Sequence, residues 1–261
     1  MDEPQPYPPS RLVVLAVVAF GGGLILAILV SGSIVAAQGW ELDVTSAVGA
    51  EAGRTAMQFG QRLLLDDLRP PGFALALLNL PLWVGLIGVP LLDRRNGLNW
   101  RRDLGWTMRV VDVPLGLVVG VATQFVLIPL YEIVWLVVER QDVGQVADDL
   151  VAHVDGPVDV IAFVAMTVVM APLAEETVYR GLLYRGIRDM EASHHSMAVG
   201  LAVVASSLVF AISHFQFVQF PGLFLFGVVA AVLFQRTGRL ATAIWAHIGF
   251  NATTVVLLLA S

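Results

Sequence analysis

Three short stretches in the second half of this chain carry side chains that could do chemistry: Glu175, Glu176 and Arg180; then His214; then His247 and Asn251. Carboxylates and imidazoles move protons at neutral pH, and amides and imidazoles donate to developing oxyanions. Helical spacing divides them further. Glu176 and Arg180 stand four apart, about one turn, which suits an ion pair on one face. Glu175 is rotated by about 100° from Glu176 and meets a different neighbour. One carboxylate is then neutralised by Arg180 while the other stays free to act as a base. Tyr179, four residues after Glu175, shares its face and could orient it. His247 and Asn251 are also four apart and aim at one point. Pro172 precedes the glutamates, lacks a backbone donor and predicts a kink that admits water.

The segments holding these groups are apolar throughout. Of the 261 residues, 57% are apolar and 14% charged, and the mean hydropathy is +0.78. Soluble domains average roughly 45–50% and about 25%. A span needs roughly 20 apolar residues in a helix, and candidates run 12–37, 73–92, 113–138, 158–183, 197–217, 220–234 and 240–260. The expected fold is therefore all-α, a polytopic membrane helix bundle of about seven transmembrane helices. Residues 1–112 read as an N-terminal two-span membrane region with an interfacial segment near 54–68, and 113–261 as the catalytic bundle. The first span is too long for a signal-peptide core and reads as a retained anchor. Pro221 predicts a tilted or partly re-entrant start for the sixth span.

An ionisable group at the bilayer centre costs at least about 2.5–3.5 kcal/mol, so those present pair, line water or do chemistry. At 1.5 Å per residue, Glu175 lies ~15 Å from Arg185 and His247 ~12 Å from Arg239. His214 sits ~10 Å before Pro221 by the same rise, somewhat out of the band, unless its span tilts. All fifteen basic residues are arginine; they gather in alternate loops and place the N-terminus in the cytoplasm, although the loop 38–70 departs from the pattern. The net charge of −6 argues against nucleic acid as a partner, and the absence of cysteine excludes disulfides and thiolate catalysis. His194 and His195 read as exposed loop residues, and His153 as part of a solvated acidic loop.

Placed in order, Glu175-Glu176-Thr177-Val178-Tyr179-Arg180 fits EExxxR, Phe210 to His214 fits FxxxH, and His247 to Asn251 fits HxxxN. Together, with Ala171-Pro172 leading the first, they resemble the signature of the CAAX prenyl endopeptidase and bacteriocin-processing family (CPBP, also called Abi), over roughly 157–258. The resemblance implies an intramembrane endopeptidase in which Glu175, assisted by His214, activates water, and His247 and Asn251 hold the oxyanion. Glu176 with Arg180 would shape the site, and Phe210 would pack beside His214. The family has been described both as metallo- and as glutamate proteases. No cofactor is required by the sequence, though Glu175, His214 and His247 could ligate zinc; HExxH, GxSG and GxGD motifs are absent.

The expected partners are the lipid bilayer and a peptide or membrane-anchored protein substrate, and the composition suggests a bacterial plasma membrane. Two other readings compete. A non-catalytic scaffold or bacteriocin-immunity protein would pair off all its polar groups; a small transporter would show inverted repeats, and none is visible. A protease requires Glu175 and His214 free of arginine and within about 3–6 Å, the span one water bridges.

Overall fold

The computed structural model describes residues 6–37, 72–135, 156–190, 195–214 and 219–260. Eight helices account for nearly all of them: α1 (Pro9–Ala37), α2 (Gly72–Leu92), the one-turn α3 (Trp100–Asp103), α4 (Asp112–Trp135), the composite α5 (Pro157–Met190), α6 (His195–Ser213), α7 (Phe220–Thr237) and α8 (Leu240–Ala260). Helices close every backbone hydrogen bond within the segment, the condition that hydrocarbon imposes. Six of them, α1 and α4 to α8, are long and apolar enough to cross a membrane. The remaining expected span is α2, 21 residues long and packed along α1. Large apolar side chains such as Val17, Ile25, Val118 and Val126 point outward, as lipid-facing residues do. The expected interfacial segment at 54–68, His153 and His194 lie outside the described residues.

Small residues let the spans approach. On α4, a Cβ on Gly116 would come within 2.8 Å of the Ala246 backbone nitrogen, and one on Gly120 would overlap the Ala246 carbonyl oxygen. This is the close small-residue packing found between membrane helices. It holds α8, and with it His247 and Asn251, against α4.

The 93–111 connection is tightly built. The side chain of Asn99 caps α3 by accepting from the backbone N–H groups of Arg101 and Arg102, both at 3.1 Å. Asp112, fully buried, accepts from the Arg109 N–H at 2.6 Å, from the Arg239 guanidinium at 2.6–2.9 Å and from the Thr242 hydroxyl at 3.1 Å. This ties the start of α4 to the α7–α8 turn, where Gly238 adopts φ 65° and closes α7 onto the Phe234 carbonyl. Pro221 lies in the first turn of α7, the position where a missing N–H costs no helical bond.

α5 is the irregular element. Around Pro172, two wide-turn π segments, Ala165–Met170 and Thr177–Tyr184, flank the short α-helical stretch Ala171–Glu176. Such π turns recur at functional sites. The second one is completely buried from Thr177 to Tyr184.

Candidate active site

The polar residues of α5, α6 and α8 divide into two groups. In the first, Glu176 Oε1 accepts from Arg180 Nη1 and from His247 Nδ1, each at 2.9 Å. The Glu176 and Arg180 side chains have no exposed surface. Arg180 also donates through Nη2 to the Gly227 carbonyl of α7 at 3.1 Å, and its guanidinium lies 4.7 Å from the centre of the Phe210 ring. A Cβ on Gly227 would press on Ser207 at 3.0 Å, so the glycine keeps α6 and α7 close. The expected i, i+4 pair is present. Its extension to His247 crosses from α5 to α8 and joins two motifs.

The second group is Glu175 and His214. The Oε2 of Glu175 stands 3.8 Å from His214 Nε2, too long for a direct hydrogen bond. That oxygen is buried and has no hydrogen-bond partner among the described residues. His214 Nδ1 lies 2.7 Å from the Phe210 carbonyl. A carbonyl only accepts, so Nδ1 carries the proton. In the neutral ring Nε2 is then a lone pair, aimed at an unpaired carboxylate oxygen. His214 thus reaches Glu175 from the residue just past the end of α6, and the offset in depth along the sequence is closed.

Phe210, with no exposed surface, is the hub between the two groups. Its ring meets His214 at 4.6 Å, Tyr179 at 5.3 Å and His247 at 5.6 Å, each edge-on. The FxxxH spacing puts ring and imidazole on one face of α6, and Phe226 of α7 closes the far side of His247 at 4.8 Å.

Two side chains have partners other than those expected. The hydroxyl of Tyr179 is 2.6 Å from Ser213 Oγ, not on Glu175; Ser213 in turn donates to the Phe210 carbonyl at 2.8 Å. Tyr179 therefore ties α5 to α6, and Phe20 of α1 packs on its other side at 6.5 Å. Asn251 donates from Nδ2 to the Thr167 carbonyl at 2.8 Å. In this π segment Ala171 donates to the Met166 carbonyl, five residues back. The next bond in that series would run from residue 172 to Thr167, and Pro172 has no N–H to give. Asn251 supplies the missing donor. Ser213 and Thr167 were not legible as site residues, although Ser213 stands beside the motif histidine and Pro172 signals an orphaned carbonyl upstream.

Among the described residues no three histidine, aspartate or glutamate side chains gather as metal ligands, and the Nδ1 of His247 is bound to Glu176.

Fold and site define an all-helical polytopic membrane protein with a partly exposed carboxylate–histidine pair between its helices. Residues 157–253 match the family described as type II CAAX prenyl endopeptidase Rce1-like. That matched segment contains all three motifs, Glu175 to Arg180, Phe210 to His214 and His247 to Asn251. The membrane-embedded CAAX protease MroQ of Staphylococcus aureus is 28% identical over 134 residues, 51% of this chain and 54% of MroQ. An uncharacterized 24.3 kDa protein of Escherichia coli is 32% identical over 103 residues, 38% of this chain and 45% of that protein. The chain spans about half the length of these curated relatives. No solved structure matches.

Proposed function

We propose that the protein is an intramembrane endopeptidase that hydrolyses a peptide bond with water activated by Glu175 and His214. The observation that carries this reading is the 3.8 Å gap between Glu175 Oε2 and His214 Nε2, two acceptors facing each other inside the bundle with no arginine between them. A water ~2.8 Å from each donates one hydrogen to either side and keeps an oxygen lone pair for attack. As that oxygen bonds to the scissile carbonyl carbon, Glu175 takes the proton and the carbonyl electrons move onto oxygen. Collapse of the tetrahedral intermediate breaks the C–N bond, and the proton passes to the leaving nitrogen.

Asn251 has a second amide hydrogen beyond the one given to Thr167, and it is the neutral donor for the oxyanion. His247 has Nδ1–H committed to Glu176, so its Nε2 donates only as the imidazolium, with Glu176 as the adjacent counter-charge. Glu176 and Arg180 act as positioning residues for His247. The substrate is a peptide or a membrane-anchored protein, and the arginine-rich 93–111 connection marks the cytoplasmic side, which puts the N-terminus there as well.

A scaffold that kept these residues for packing would satisfy all of them. Glu176, Arg180, His247, Asn251 and Tyr179 each make at least one side-chain hydrogen bond, although Glu176 Oε2 and Arg180 Nε have no hydrogen-bond partner among the described residues. The Glu175 carboxylate faces His214 with Oε2 unpartnered. The test is cleavage of a quenched peptide library by detergent-purified protein, wild type against Glu175→Gln, with and without chelator. Cleavage lost in the variant supports the reading, and chelator sensitivity reports on a metal. Equal cleavage by the variant removes Glu175 as the base.

A further inference from the structure

A cavity of about 470 Å³ lies on the far side of α5 from the carboxylate–histidine pair. It is lined by Val169 and Leu173 of α5, by Ile244 and Ile248 of α8, and by Trp106 and the exposed Arg101 of the 93–111 connection. None of Glu175, His214, His247 or Asn251 lines it. Leu173 and Glu175 are two residues apart on the α-helical stretch and so point about 200° apart. Its size falls in the range of pockets that take small molecules, roughly 300–1,000 Å³.

The part of the lining supplied by the 93–111 connection is held in place. The Trp106 indole N–H donates to Thr177 Oγ1 at 3.3 Å, and its ring packs on Trp100 at 5.6 Å. Trp100 in turn donates to the Pro90 carbonyl at 3.1 Å, at the end of α2. The two neighbouring arginines differ in a telling way. Arg102 is spent on Asp103 at 2.6 Å. Arg101 is exposed, and its guanidinium carries no ion pair among the described residues. An uncompensated guanidinium therefore stands at the rim of an apolar cavity, between the ends of two spans.

That combination selects an amphiphile with an apolar tail and an anionic head. Arginine binds phosphate oxygens through two parallel N–H donors. Basic segments beside spans attract anionic lipid on the cytoplasmic face. We propose that this cavity is a binding site for an anionic phospholipid, one acyl chain lying between α5 and α8 and the phosphate seated on Arg101. The site is independent of peptide hydrolysis, and it would sense leaflet composition immediately behind the helix that bears the carboxylates.

The experiment is native mass spectrometry of the full chain in detergent with phosphatidylglycerol and phosphatidylcholine of matched chains at equal concentration. Wild type is expected to retain one phosphatidylglycerol, preferred about fivefold, the attraction of one interfacial arginine. Arg101→Gln brings the two lipids to equal retention without loss of fold, since the side chain is exposed. Arg94→Gln, outside the cavity, keeps the preference, and Ala241→Phe, which fills the cavity, removes the retained lipid. Equal retention of both lipids by wild type, or a preference that Arg94→Gln abolishes as fully as Arg101→Gln, overturns the proposal.

Discussion

Replacing Arg180 with methionine removes a buried cation while keeping the length and most of the volume of the side chain. Glu176 is then left with His247 Nδ1 as its remaining hydrogen-bond donor among the described residues, and the Gly227 carbonyl loses its guanidinium partner. Both side chains are fully buried, so water cannot take Arg180's place. Breaking a buried pair from one side costs about 3–5 kcal/mol. At about 2–4 °C per kcal/mol for a chain of this size, Arg180→Met should lower Tm by roughly 10 °C. The charge left behind causes most of this loss, so removing it should restore stability. In the double variant Glu176→Gln/Arg180→Met, the glutamine carbonyl still accepts from His247, and at least half of the lost Tm should return. The assay is thermal unfolding in detergent by near-ultraviolet circular dichroism for wild type, both single variants and the double. A single Arg180→Met variant within about 2 °C of wild type would refute the reasoning. So would a double variant no more stable than Arg180→Met, since the penalty would then not come from an unpaired charge.

Other outcomes can be checked in the same preparations. Asn251→Leu orphans the Thr167 carbonyl and should cost about 1–3 kcal/mol. Adding Pro172→Ala restores a donor to that carbonyl and should recover part of the loss, read by the same melts. Gly120→Leu overlaps the Ala246 carbonyl and should separate α4 from α8, giving a polydisperse elution profile and no folded yield. At Asp103, burial pushes the carboxyl up, but hydrogen bonds from Arg102 and from the backbone N–H groups of Asn99 and Tyr7, with the Arg102 charge, bring it below the ordinary range. Its stabilisation is therefore fully present above the unfolded carboxylate value of about 3.9 and is lost as pH falls through the lower folded value. Trp100 and Trp106 fluorescence should report an unchanged 93–111 connection down to pH 4, and a loosening between pH 5 and 7 would contradict the sign.

The parts of the site that were legible in the sequence are those set within one helix. Glu176 and Arg180 at i, i+4 could be paired from spacing alone, and Glu175 could be set apart from them by its rotation. Phe210 beside His214 followed in the same way. Across helices, the approach of Glu175 to His214 was expected and is met at 3.8 Å, but the other crossings were not legible. The Nδ1 of His247 joins Glu176 because α8 is pressed onto α4 through Gly116 and Gly120 and presents His247 to α5. Tyr179 reaches Ser213 because α6 runs beside the π segment, and no periodicity along α5 alone reveals that neighbour. A proline inside a helix removes a backbone donor and predicts a kink. Here the same missing donor is accommodated by π turns and by Asn251, a solution that needs a partner 84 residues away. Similarly, His214 looked out of depth by straight-helix arithmetic, which ignores how adjacent spans are displaced relative to one another.

The central claim is that Glu175 and His214 act as one unit on the attacking water. The most direct measurement is a double-mutant cycle on the cleavage rate constant under single-turnover conditions, with Glu175→Gln, His214→Gln and the double variant on one library-selected peptide. General-base assistance contributes about 10²–10⁴-fold, and groups acting together are strongly non-additive. The account predicts that each single variant loses at least about 10²-fold and that the double loses little more than the worse single. Losses that multiply in the double variant, or a Glu175→Gln enzyme that keeps the wild-type rate constant, would contradict it.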